Sequence, residues 1–265
     1  MQPKILVFDL ETLPNLGYFW DCYPENGIPL QFVVQPKAIC TIAYKWMGEN
    51  KSYVLKVKEP YNDKEILKKF LPVWEEADYV LGHFGDGFDI PYLAGRLLAN
   101  GLPPLPIVPS IDTYKLAKKH FGKTLNSNRL DNLGTVLNVG NKNKTNINLW
   151  VNCASGNKKA IDEMGEYNRQ DVNLLEQVAL KMLPYTGSKL NRRLFSEAEI
   201  SCETCGSTNI QKRGTLVTKT VKKRRVQCQD CGHWGSIKYE EDEIKTIKIN
   251  KRKQSTKVKR KKKVA

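Results

Sequence analysis

The chain reads as an α/β protein: a mixed sheet flanked by helices over residues 1–195, a small four-cysteine zinc ribbon over 196–243 and a basic tail over 244–265. Three observations predict this. Apolar β-rich runs dominate the first half of the large region and helical periodicity its second half, giving the order β-β-β-α-β-α-β-α-α-α. Two CxxC pairs mark the ribbon. A run of lysines and arginines without an acid marks the tail.

Lys4–Thr12 (KILVFDLET) is apolar almost throughout, as a central strand buried on both faces requires. After a loop punctuated by Pro and Gly, Ala38–Trp46 and Ser52–Lys58 read as two further strands, and their short connections predict an antiparallel meander. Asp63 is placed to cap a helix whose Ile66, Leu67, Phe70, Leu71 and Trp74 recur at helical spacing. Asp78–Gly82 is a short buried strand. Ile90–Asn100 is a helix stopped by Gly101 and the prolines of 103–109. A fifth strand is expected in Ile107–Asp112, then helices at Thr113–Phe121, Leu130–Leu137 and Asn157–Leu183. Ile210–Val226 is a basic hairpin, and residues 244–265 are expected to be disordered.

Of 265 residues, 43 are Lys or Arg and 28 are Asp or Glu, a formal charge of +15. The excess is lopsided. Residues 1–195 hold 24 basic and 20 acidic side chains, whereas 196–265 hold 19 and 8, and the last 22 residues hold eleven bases and no acid. A nearly neutral body with a basic appendage suits a polyanionic partner, nucleic acid above all. No run approaches the ~20 apolar residues of a membrane span. MQPKILVFDL lacks the apolar core and cleavage site of a secretory signal. The expectation is an intracellular chain in a reducing compartment, whether cytoplasm, nucleoid or nucleus.

Cys22, Cys40 and Cys153 stand singly and read as small buried apolar residues. Cys202-x-x-Cys205-Gly206 and Cys228-x-x-Cys231-Gly232 are different. Two such pairs about 20 residues apart can close a tetrahedral four-thiolate Zn²⁺ site, which is structural because it leaves no open position. The intervening hairpin carries Lys212, Arg213, Lys219, Lys222, Lys223, Arg224 and Arg225, with Trp234 and Tyr239 nearby to stack on unpaired bases. The alternative is a ribbon that docks on a protein.

Three elements in the large region carry chemistry. Asp9 and Glu11 lie two apart on a strand, so both carboxylates share a face, and two adjacent acids there either hold a hard cation such as Mg²⁺ or Mn²⁺ or are solvated at a strand end. Asp89 follows a glycine-rich turn (GHFGDGFD) that does not match the dinucleotide-binding spacing, and it can cap the next helix. His83 in that turn reads as structural. Tyr167 and Asp171 lie four apart on the last helix and project from one face.

FDLET, FDIPYL and YNRQD, in this order, resemble the three motifs of the DEDD 3′–5′ exonucleases of the tyrosine subgroup, with the proofreading domains of family B DNA polymerases as the relatives most similar in motif. SNRLDNLGTVL (Ser127–Leu137) is similar to the segment before the third motif. The resemblance spans roughly residues 4–185 and implies a ribonuclease-H-like fold. It implies four metal-site carboxylates, Asp9, Glu11, Asp89 and Asp171, holding two Mg²⁺ or Mn²⁺ ions, with Tyr167 orienting the attacking water. One departure is Phe84, where these proteins usually carry an asparagine that places the substrate strand. The expected activity is hydrolysis of single-stranded or frayed DNA 3′ ends, with any proofreading in trans to a polymerase partner. The alternatives are an RNA 3′–5′ exonuclease and a non-catalytic nucleic-acid-binding adaptor.

Overall fold

The computed structural model describes residues 2–20, 27–122, 124–142 and 145–238, and of residue 188 the backbone alone. Cys22, Tyr239 and the expected tail lie outside the described residues. The chain divides into two compact units, Met1–Leu190 and Asn191–Ala265.

In the first unit the strands are β1 (Ile5–Thr12), β2 (Leu16–Gly17), β3 (Val33–Gln35), β4 (Ile39–Trp46), β5 (Ser52–Lys56), β6 (Tyr79–Gly82) and β7 (Ser110–Asp112). The helices are α1 (Lys64–Glu75), α2 (Asp89–Ala99), α3 (Thr113–His120), α4 (Leu130–Val136), α5 (Ile147–Ala154) and α6 (Lys158–Met182). Five strands form one mixed sheet in the order β5-β4-β1-β6-β7. The meander is present: β1 pairs antiparallel with β4, and β4 with β5, whereas β1–β6 and β6–β7 are parallel. The parallel register Val7↔Leu81 brings the carboxyl ends of β1 and β6 side by side. The turn after β6 therefore opens beside Asp9, and such carboxyl ends are where open α/β sheets place their sites.

β1 is buried from Ile5 to Phe8, at most 2% exposed, as its unbroken apolar run demands. Period two sends Phe8 to one face, where it meets Phe70 and Trp74 of α1, the Phe8 and Trp74 ring centres lying 5.2 Å apart edge to face. The same alternation sends Val7, Asp9 and Glu11 to the opposite face, beneath α6. α6 buries Met164, Val172, Leu175, Val178 and Met182 against the sheet. It begins at Asn157, whose side chain accepts the Ala160 N–H at 3.2 Å, and it stops before Pro184.

Several expectations are corrected. Asp63 is the N-cap residue of α1, but its side chain makes no capping hydrogen bond. Its fully buried carboxylate accepts from Ile39 N at 3.0 Å, from Arg96 at 2.6 and 2.9 Å and from Asn100 at 2.9 Å, tying β4 to α2. Asp89 is the first residue of α2 rather than its cap. α5 is an addition, because an Asn- and Lys-rich stretch precedes it and masks its apolar spacing. The two-stranded β2–β3 ladder is another.

In the second unit β8 (Ile210–Val217), β9 (Lys222–Cys228) and β10 (Trp234–Lys238) form an antiparallel sheet in the order β10-β9-β8. The expected hairpin is β8–β9, and β10, short and containing Gly235, is the strand that periodicity does not reveal.

Candidate functional site

The cluster is built from three elements far apart in sequence. Asp9 and Glu11 come from the end of β1, Asp89 from the first turn of α2 and Asp171 from the middle of α6. Asp9, Glu11 and Asp171 each offer a carboxylate oxygen within 4.8 Å of the others. Opposite oxygens on an octahedral Mg²⁺ are about 4 Å apart at ~2.1 Å per bond, so an all-oxygen donor set at this spacing fits a hard divalent ion. Asp89 joins from the side of β1, its Oδ1 accepting the Leu10 N–H at 3.2 Å. Asn168 fixes Asp9, its Nδ2 donating to Oδ2 at 2.7 Å.

Asp89 and Asp171 are buried, 4% and 1% exposed, while Asp9 and Glu11 are half-buried. Burial pushes all four carboxyls above the ordinary carboxylate range. The charges of Asp89, Glu11 and Asp171 push Asp9 further. Glu11 and Asp89 reach about 7. The cluster therefore holds more negative charge than the unaided protein tolerates, which is the electrostatic condition for binding cations.

One resident cation answers part of that charge. Lys142, in the loop between α4 and α5, places Nζ 2.5 Å from Asp171 Oδ2 and donates to the Tyr167 hydroxyl at 3.2 Å. Burial works against its ammonium, but Asp171 and Asp9 overcome this and hold its pKa above the usual lysine value. Tyr167 lies one turn before Asp171 on the same face of α6. Burial, then the charge of Asp171, raises its phenol, so it is a neutral hydroxyl at pH 7.

All five expected residues of this site thus lie together, and Lys142 and Asn168 are additions. Asn168 was within reach, since it adjoins Tyr167. Lys142 was not, because one lysine in an Asn/Lys-rich loop has no distinguishing spacing. His83 lies in the turn after β6 and also lines the cleft beside the cluster. Burial lowers it to about 4, and Nδ1 lies 2.9 Å from Thr113 Oγ1. Beside the cluster, Phe84, Tyr114, Arg129 and Lys142 line a cleft of about 430 Å³.

In the second unit Cys202, Cys205, Cys228 and Cys231 bring their sulfurs within 4.8 Å of one another, with Cys202–Cys231 and Cys205–Cys228 both at 3.6 Å. This is too long for a disulfide and close to the roughly 3.8 Å edge of a tetrahedron with Zn–S bonds of ~2.3 Å. Gly206 and Gly232 turn back to the first cysteine of each pair at φ +80° and +77°, a backbone that favours glycine. Burial opposes the Cys228 thiolate, but the backbone N–H groups of Cys231 and Asp230 bring its pKa down to about 7.

The basic side chains of the hairpin do not form one surface. Lys223 pairs with Lys238, Arg225 with Ser236 and Gln227 with Trp234, so Lys223, Arg225 and Trp234 share a face. Lys222 and Arg224 alternate to the face of Val226 and Cys228, where Lys212 also lies opposite Val226. Arg213 falls in the bulge of β8, and Lys219 in the turn to β9.

A family model described as RNase_H_2, of the RNase_H superfamily, matches residues 34–183. The match includes Asp89, Tyr167 and Asp171 and begins after β1. Among solved structures, the chain is similar to the family B DNA polymerase from the hyperthermophilic archaeon Pyrobaculum calidifontis, at 19% identity and a TM-score of 0.52. The similarity covers 71% of this chain and 26% of the polymerase, so the chain spans about a quarter of that protein. No curated protein matches. Among the described residues no helix is long and apolar enough to cross a membrane.

Proposed function

Because the chain belongs to the RNase H superfamily, we propose that it is a divalent-metal-dependent 3′–5′ exonuclease acting on single-stranded or frayed DNA ends. The observation that carries this reading is the convergence of Asp9, Glu11 and Asp171, with Asp89 and Tyr167, on one partly open point between β1 and α6. A dead scaffold has no reason to keep four mutually repelling carboxylates there.

Asp9, Glu11, Asp89 and Asp171 would hold two Mg²⁺ or Mn²⁺ ions. When bound, the ions supply the Lewis-acid charge needed to bring a nucleophile against an anionic phosphodiester and to stabilise the leaving 3′-oxygen. The chain's own residues do the rest. Asn168 orients Asp9. Tyr167, whose phenol burial and the charge of Asp171 raise, can orient the attacking water by hydrogen bonding. Lys142 steadies the Tyr167 hydroxyl and the Asp171 carboxylate through one ammonium. The four thiolates of the second unit would hold one structural Zn²⁺, and the Lys223–Arg225–Trp234 face would grip the strand by phosphate contact and stacking. A polymerase partner would place the activity in replication or repair.

The test is a 5′-labelled single strand, as matched DNA and RNA, incubated with Mg²⁺ or with EDTA. The expected result is a ladder of stepwise 3′ shortening of DNA with Mg²⁺, absent with EDTA and reduced by at least about 10³-fold in Asp171→Asn. Binding without cleavage points to an adaptor, shortening of RNA alone redirects the substrate, and full activity in Asp171→Asn refutes the site.

A further inference from the structure

The turn between β6 and α2 holds a bulky residue in a conformation that bulky residues avoid. Phe84 has φ +64°, in the left-handed region where a side chain clashes with its own backbone. Burial of the ring does not offset this, because Phe84 is 46% exposed. The surroundings enforce the geometry. The carboxylate of Asp112, 1% exposed, accepts the backbone N–H of Phe84 at 3.1 Å and that of Asp86 at 3.3 Å. At Gly87 a Cβ would lie 2.6 Å from the Phe84 ring, so the glycine leaves room for the ring to lie over the turn. Tyr114 backs the ring edge to face, with centres 5.2 Å apart.

The ring lines the same cleft as Arg129 and Lys142, and Lys142 also reaches the carboxylate cluster. His83 beside it is uncharged at pH 7. The cleft thus offers an exposed aromatic face held rigid, Arg129 as a cation beside the one acid Asp131, and Lys142 as the bridge to the neighbouring carboxylate cluster. A ring for a base and a cation for a phosphate are the elements of a single-strand groove.

We propose that Phe84, braced by Tyr114, is a stacking platform for an unpaired nucleobase of the substrate strand, and thereby a residue that sets substrate preference at this site. The proposal rests on the nuclease reading for what happens next to that base, but not for the binding itself. Stacking accepts every base and favours purines, whose larger rings overlap more, so the platform predicts sequence tolerance with a purine bias.

Phe84→Gly tests it, since glycine adopts φ +64° freely and should leave melting unchanged or raised. Affinity for a labelled single strand is measured by anisotropy with Mg²⁺ omitted, so that no cleavage is expected and the Zn²⁺ proposed for the second unit stays in place. Phe84→Gly is expected to bind about ten-fold more weakly. Phe84→Trp is expected to restore affinity, with emission that the strand quenches beyond the quenching of the wild-type tryptophans. With Mg²⁺, the loss in Phe84→Gly falls on KM more than on kcat. Equal affinity of Phe84→Gly and wild type overturns the platform, as does a Phe84→Trp protein whose added emission is blind to the strand. Phe84-dependent binding without any Mg²⁺-dependent shortening leaves the platform standing and overturns the nuclease reading instead.

Discussion

Asp9 is surrounded by Asp89, Glu11 and Asp171 and is raised well above the ordinary carboxylate pKa by burial and by those neighbours. A carboxyl whose pKa is higher folded than unfolded takes up protons on folding. Its contribution is therefore favourable at low pH and is lost as the pH rises through the folded value, for Glu11 and Asp89 between about 4 and about 7. His83, lowered to about 4 by burial, works in the opposite sense, its stability being lost as the pH falls below about 6.5. A comparison with Asp9→Asn separates the two. In chelator this variant should melt higher than wild type, by a margin that widens from pH 5 to pH 8 in scanning calorimetry. Mg²⁺ should reverse the order, because only the wild type then binds the ions well. A margin independent of pH, or no response to Mg²⁺, would show that the acids do not form a shared cation site.

Among elements, the strands show what sequence can carry. β1 was legible because burial on both faces leaves an unbroken apolar run, and its two acids stood out against that run. α6 was legible because Ile161, Met164, Val172, Leu175, Val178 and Met182 repeat at helical spacing, and Tyr167 and Asp171 stood out as polar residues one turn apart. What escaped was fixed by tertiary partners rather than by local pattern. Asp63 looks like a cap in sequence, but a guanidinium and a strand N–H claim it in space. Lys142 becomes a site residue only because its loop folds over α6. The cysteine knuckles are the opposite case, since metal-ligand spacing is a strictly local signal. For them the expected result is one zinc per chain by metal analysis. In Cys228→Ser the zinc should be lost and the amides of β8–β10 should exchange freely, while those of β1 and β4 stay protected. Full zinc content in that variant would exclude the site.

For the whole molecule, charge and chemistry are separated. The clustered acids sit in a region with only four more bases than acids, while eleven bases lie in 244–265. Phosphate contacts release counterions, so affinity for a single strand should fall with a slope of about −0.7 per contact in log K against log salt. Ending the chain at residue 243 should flatten that slope and weaken binding, while leaving single-turnover cleavage of saturating strand nearly unchanged. An unaltered slope would mean that the basic tail does not touch the strand.

The span of the site along the chain has a further consequence. Asp9 is fixed by Asn168 across 159 residues, and Asp89 by Leu10 across 79. Contacts of such separation form late, once the loops between them have closed. A nascent chain still on the ribosome, or one clipped ahead of residue 167, carries three acids and neither Tyr167 nor Asp171. On the nuclease reading, hydrolysis would thereby be tied to completion of the domain, and unfinished copies would be inert toward the nucleic acid around them.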